Sequence, residues 1–255
     1  MPGRVRFSIA GARTQARMNS DQICAHRGAS AEFPENSRIA FDGAISAGAR
    51  WIETDLVLLA DGELLVFHDQ QLGRTAPGTA RLRTLNSTEA RHLDVGSWKG
   101  SGFSDQRAML MSDLLRWQQT TGARLIWEMK CAEEDARVAA EAVAGQLSFC
   151  EIKAFVLSSF SRSFLEHSRR LLPEAEMALI VEALPEDGLA YCVEQGLQGL
   201  HLDYQPLNQK QVSSIKAAGL RARCYTVNSA ATARRLLEWG VDMVMTDQPD
   251  LLITA

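Results

Sequence analysis

Ser37-Arg38-Ile39-Ala40-Phe41-Asp42-Gly43-Ala44-Ile45-Ser46-Ala47, then Gly48, then Trp51-Ile52-Glu53-Thr54-Asp55-Leu56-Val57-Leu58 reads as a helix, a stop and a strand. Ala40, Phe41 and Ala44 recur at helical spacing, Asn36 offers an N-cap, and Gly48 can take the left-handed conformation that ends a helix. The strand that follows places Glu53 and Asp55 two residues apart, and hence on one face.

The same unit repeats outward in both directions. Strands are predicted at Ile23–His26, Trp51–Leu58 with Leu64–Phe67, Arg124–Met129, Ala154–Leu157, Met177–Val181, Gly199–Leu202, Arg221–Thr226 and Met243–Thr246. Helices are predicted at Ser37–Ala47, Ser112–Thr120, Glu133–Gln146, Arg162–Leu171, Glu186–Glu194, Asn208–Ala218 and Ala230–Glu238. Ser229 is a second N-cap candidate, Gly196, Gly219 and Gly240 are stops, and Pro249 suits the first turn of a last helix. Short apolar strands alternating with helices in a chain of 255 residues fit a single α/β domain, a TIM (β/α)8 barrel over 22–255. The segment 69–107 is too long for a standard βα loop and is expected to be a small insertion, a cap without its own core. Residues 1–21 are set apart as a tail: Arg4, Arg6, Arg13 and Arg17 occur there with no long apolar segment, and Met18 offers an alternative start. A transit-like peptide is the other reading of that arginine-rich stretch.

Composition narrows the class. A net charge of −4 disfavours a nucleic-acid surface, and no apolar run approaches the roughly 18 residues of a membrane span. Five cysteines, Cys24, Cys131, Cys150, Cys192 and Cys224, are scattered without CxxC spacing, which favours a reduced, cytoplasmic setting over disulfides or a zinc knuckle.

Four clusters fall at strand ends, where barrel enzymes keep their active sites. They are His26-Arg27-Gly28 with Pro34-Glu35-Asn36 behind it, Glu53 with Asp55, His68-Asp69, and Glu128 with Lys130. Two carboxylates turned into a barrel need a compensating cation, and oxygen ligands favour Mg²⁺ or Ca²⁺; an ion-pair network with arginines is the alternative. A histidine can exchange a proton near neutral pH, and an arginine fork fits phosphate. His92 and His167 read as surface residues, His201 as core, and Asn228 and Asp247 as helix caps.

These motifs resemble the glycerophosphodiester phosphodiesterase family in its compact bacterial cytosolic form. The resemblance spans about Cys24 to Leu251. It rests on HRG (26–28), PEN (34–36), the run from Gly48 to Asp55, Asp61-Gly62 with His68-Asp69, RTxxG (74–78), LDxGSW (93–98), ExK (128–130), LSSF (157–160), YTVN (225–228) and GVDxxxTDxP (240–249). It departs from the common pattern at Ser37, Leu59-Ala60, 109–111, Trp127, Met129 and Cys131, none of which is a proposed catalytic group.

The resemblance implies a TIM barrel that hydrolyses glycerophosphodiesters to sn-glycerol 3-phosphate and an alcohol. His26 and His68 become the acid/base pair, and Glu53, Asp55 and Glu128 the ligands of one divalent cation. Arg27 and Lys130 hold the phosphate, and Tyr225 lines the site. Either water or the substrate's own glycerol hydroxyl could attack. The alternatives are a lysophospholipase D-type enzyme, which should show an apolar loop around Trp98 and Phe103, and a silent barrel that only binds such diesters. The small-molecule substrate is the one expected partner.

Overall fold

The computed structural model describes residues 18–147 and 155–254. In chain order its strands are β1 (Ile23–His26), β2 (Trp51–Leu58), β3 (Leu64–Val66), β4 (Arg124–Lys130), β5 (Phe155–Ser159), β6 (Glu176–Val181), β7 (Gly199–Asp203), β8 (Arg221–Tyr225) and β9 (Met243–Thr246). All but β3 run parallel, and β1 pairs with both β9 and β2, so the sheet closes into a TIM barrel. The short β3 lies antiparallel on the outer end of β2, Leu56 opposite Val66. Ala154, the first residue of one predicted strand, lies outside the described residues.

Alternation along each strand sorts side chains into two layers. Ile23, Ala25, Ile52, Leu125, Trp127 and Leu157 point outward into the large core beneath the helices. Among these helices, α1 (Arg38–Ser46) inserts Ala40, Phe41 and Ala44, and the helix Met111–Thr121 inserts Leu114 and Trp117. Cys24, Ile126, Val156, Ala178, Met243 and Met245 form a separate, smaller plug. Strand alternation puts that plug inside the barrel, on the same face as Glu53, Asp55 and Glu128.

Several local expectations hold. Gly48, Gly196, Gly219 and Gly240 all have positive φ after helices, Ser229 caps the helix Ala230–Glu238, and Pro249 opens the last helix, Pro249–Thr254. One does not. Asn36 is not the N-cap of α1: Ser37 takes that place, its Oγ accepting from the Ala40 N–H, while Asn36 sits at φ 56° and turns its amide into the barrel mouth. The helix expected from Glu133 begins as a single 3₁₀ turn, Glu133–Asp135, before α-helical geometry sets in at Ala136.

The insertion differs from its expectation. It contains a 3₁₀ turn Leu82–Thr84 and a four-residue helix Ser87–Ala90, and it has an apolar cluster of its own in which Leu72, Leu82, Ala90 and Val95 pack on Val57, Leu65 and Phe67. β2 continues past its pairing with β1, its far end pairs with β3 instead, and the insertion covers the apolar side chains of that hairpin. At the other end, residues 1–17 of the expected tail lie outside the described residues. Met18 is buried in the main core, and Ser20–Gln22 makes a 3₁₀ turn leading into β1. Among the described residues no helix is long and apolar enough to cross a membrane.

Candidate active site

The carboxyl ends of β1, β2 and β4 meet at the barrel mouth because their register aligns them: His26 pairs with Glu53, and Asp55 with Glu128. The chain leaves β1 through a left-handed turn at Arg27 (φ 58°) and Gly28 (φ 86°). A Cβ at Gly28 would come within 2.6 Å of the Ala40 backbone, so only glycine lets the turn pass α1 this closely. The strained Arg27 is held by its N–H, which donates to the Glu53 carbonyl at 2.8 Å, and by its guanidinium, which donates to Glu35 at 2.8 Å and lies 3.2 Å from Asp55.

Glu53, Asp55 and Glu128, all buried, bring one carboxylate oxygen each to within 4.8 Å of one another. Two cations face them. Lys130 pairs with Glu128 and lies 3.4 Å from Asp55, and Arg27 also favours Asp55. Burial opposes the charge of Asp55, but Arg27, Lys130 and His68 outweigh it, and the Asn36 amide donates to it at 2.8 Å; its carboxyl is held down at about 2. Burial, then repulsion from Asp55, pushes Glu128 up to about 7. Burial, then Asp55 and Glu128, pushes Glu53 well above the usual carboxylate range.

Three acids thus share two cations, and one carboxylate is left facing its neighbours. Asp55 Oδ1 is buried without a hydrogen bond. A divalent cation would relieve both the repulsion and the unsatisfied oxygen, and an all-oxygen donor set suits Mg²⁺ or Ca²⁺. The residues therefore fit the metal that the sequence led us to expect.

Each histidine is keyed through Nδ1 to a carboxylate. His26 meets Asp247 at 2.7 Å and His68 meets Asp69 at 2.6 Å, which leaves Nε2 of each ring to exchange a proton. Burial, aided by Arg27 and Lys130 against the pull of Asp55, lowers the His68 pKa. Both rings line a cavity of about 260 Å³ together with Glu53, Glu128, Lys130 and Tyr225. Tyr225 donates its hydroxyl to the Val181 carbonyl at 3.1 Å and so presents its ring to the cavity.

The eight residues singled out from the sequence are thus gathered in one place, and several supporting ones were misread. Asp247 is no helix cap: its carboxylate accepts from Ser30 and Asn228 and holds His26, and burial notwithstanding these partners keep it at about 2. Asn228 is likewise no cap. It accepts from the Asp247 backbone and Thr246 and donates back to the Asp247 carboxylate. Glu35, the middle residue of the PEN motif, joins Arg27 to Arg74, and Arg74 in turn grips Asp69. Phe160, 48% exposed, also lines the cavity, with Lys130 Nζ 5.7 Å from its ring centre. The PEN, TDxP and LSSF motifs were the available signals. Among the remaining histidines, His92 is exposed and His167 half-buried on the helix Arg162–Leu171, while His201 is buried in the barrel as expected and also borders the cavity.

Residues 26–251 match the model of the glycerophosphoryl diester phosphodiesterase family. The chain belongs to this family. Its members are phosphoric diester hydrolases. The chain is 31% identical over 239 residues to the Bacillus subtilis protein YhdW, covering 91% of this chain and 96% of that one. It is 29% identical over 251 residues to a glycerophosphodiester phosphodiesterase of the same organism, covering 89% and 83%. Among solved structures, an Oleispira antarctica phosphodiesterase in complex with the product sn-glycerol-3-phosphate superposes with a TM-score of 0.88 at 29% identity, covering 91% of this chain and 95% of that one.

Proposed function

We propose that this chain hydrolyses glycerophosphodiesters to sn-glycerol 3-phosphate and an alcohol, using one divalent cation and a histidine pair. The observation that carries the reading is the meeting of two histidines, each backed by a carboxylate, with three crowded acids and two cations in one cavity. Glu53, Asp55 and Glu128 would hold the cation, Mg²⁺ or Ca²⁺, whose charge would offset that of the phosphodiester. Arg27 and Lys130 would bind the nonbridging oxygens; Lys130 resists the effect of burial because Asp55 and Glu128 keep it protonated. One of His26 and His68 removes a proton from the attacking oxygen as its bond to phosphorus forms. The other protonates the leaving alkoxide as the second P–O bond breaks, each role contributing about 10²–10⁴-fold.

A reducing, cytoplasmic location belongs to the same proposal, supported by unpaired and buried Cys24, Cys192 and Cys224. The test is release of glycerol 3-phosphate from glycerophosphoglycerol and glycerophosphocholine by enzyme stripped with chelator, with and without added Mg²⁺ or Ca²⁺. Metal-restored release that His26→Ala and Glu53→Ala both abolish is the expected result. Absence of release from folded, metal-loaded protein would sink it. A second reading, lysophospholipid cleavage, draws on Trp98 and Phe160, 40% and 48% exposed at the cavity rims. Faster turnover of lysophosphatidylcholine than of glycerophosphocholine would favour it.

A further inference from the structure

A second, more open cavity of about 360 Å³ shares His26 and Arg27 with the first and is walled beyond them by Trp98, Lys99, Glu35 and Asp247. Resting on the hydrolase reading above, we propose that it receives the leaving alcohol and that Lys99 selects polyol or anionic alcohols over quaternary ammonium ones.

The division between the two spaces follows from the substrate. Glycerol is common to every glycerophosphodiester and suits the smaller cavity, while the alcohol varies and suits the open one. The phosphate between them must lie at the shared wall of His26 and Arg27. An alcohol in the open cavity then leaves beside His26, where a proton can reach it.

The charge of this wall is decided by who is already paired. Both oxygens of Glu35 are taken by Arg27 and Arg74. Those of Asp247 are taken by His26, Ser30 and Asn228. Neither carboxylate is free to receive a cation from the substrate. Lys99, in contrast, forms no ion pair among the described residues: its ammonium donates at 2.8 Å to the Ser30 carbonyl, which leaves donors unused. Ser30 also places its hydroxyl 3.0 Å from Asp247 Oδ1, so the spare positive charge is anchored next to the His26–Asp247 pair.

A choline group would look for an aromatic face and a free acid. The aromatic face is that of Trp98, fixed by its indole N–H donating to the Val95 carbonyl at 2.8 Å, and it already carries the Lys99 ammonium 5.5 Å from its ring centre. A hydroxyl, carboxylate or phosphate oxygen meets the opposite situation, with unused ammonium donors and an apolar ring to support its carbon skeleton.

The test is a competition in which two diesters are hydrolysed in the same tube, so that the ratio of their kcat/KM is independent of how much enzyme is folded. Glycerophosphoglycerol and glycerophosphoinositol are each paired with glycerophosphocholine, for the wild type, Lys99→Gln and Lys99→Glu. The wild type is expected to favour the polyol diesters about tenfold. That preference should fall several-fold in Lys99→Gln and vanish or invert in Lys99→Glu, and rising salt should erode it in the wild type. A ratio unchanged across the three enzymes, or a wild type that favours choline, overturns the assignment of Lys99 while leaving the hydrolase reading in place. No release from any of these diesters by metal-loaded wild type overturns both.

Discussion

The barrel interior holds two charged levels that are built on opposite rules. At the mouth, Glu53, Asp55 and Glu128 outnumber Arg27 and Lys130, and burial leaves their repulsion unscreened. Deeper inside, Arg223 is 3% exposed and closes on itself: one amino group donates to Glu176 at 2.6 Å, and the other lies 3.3 Å from His201 Nε2. Glu176 lies between Arg223 and the exposed Arg221, so at this level no acid among the described residues faces another acid. The mouth is left acidic by one group, and that imbalance distinguishes a binding site from a structural ion pair of similar composition.

The largest test of this contrast removes an acid from the mouth. Glu53→Gln should cost more than about 10³-fold in kcat/KM, since both the cation and its charge compensation are lost. It should also raise the melting temperature of metal-free protein, because a repelled, buried acid is gone, while abolishing the rise on adding Mg²⁺ or Ca²⁺. That rise should correspond in the wild type to roughly 2.7 kcal/mol at a hundred times Kd. A fall in metal-free stability would show that Glu53 is not strained there.

Next come the partners of the two histidines. Asp247 is held by three side chains, His26, Ser30 and Asn228, whereas Asp69 has its charge shared between His68 and Arg74. Asp247→Asn should therefore reduce kcat about 10²-fold, below the roughly 10⁴-fold seen where such a carboxylate sets a catalytic tautomer, and Asp69→Asn should cost less. Equal losses in a pH-rate comparison would erase the distinction.

In the deep level the effect should be on stability. Glu176→Gln strips Arg223 of its counter-charge and should cost roughly 3 kcal/mol in denaturant unfolding, the low end for a buried pair because Glu176 is partly exposed. A loss under ~0.5 kcal/mol would mean that Arg223 is paired some other way.

The smallest effect is a pH slope. Burial, then the positive charge of Arg223, drives the His201 pKa well below its ordinary value, so the folded protein keeps the ring neutral where the unfolded chain protonates it. The unfolded state binds the extra proton, and stability falls as pH drops below about 6.5, by up to about 1.4 kcal/mol per unit. His201→Gln should remove that part of the slope in unfolding curves taken between pH 7.5 and 5; an identical slope would show that His201 is not held neutral.

His68 and His26 show how far the sequence reaches. The partner of His68 is its neighbour Asp69, inside one motif, but the partner of His26 lies 221 residues away at the end of β9. Asp247 precedes the proline-led last helix and Asn228 the helix Ala230–Glu238, each just after a strand, where capping residues also sit, so local pattern favoured the wrong role. Asn36 failed in the same way: a residue before a helix reads as a cap until its amide is seen on Asp55 and its oxygen accepting from Thr54.

The sequence by itself determined the alternation of strands and helices, the stops at glycine, the two acids on one face of β2 and the four motifs at strand ends. Each of these depends on spacing along the chain and on the conformational limits of single residues, both local properties. Tertiary structure alone decided which carboxylate backs His26, why Asp55 is pushed down and Glu53 up, that the insertion has its own apolar cluster, and that Lys99 has no ion-pair partner among the described residues. Those outcomes depend on which groups barrel closure brings within a few ångströms in a medium of low dielectric. There, pairing with a residue two hundred positions away counts for as much as pairing with a neighbour.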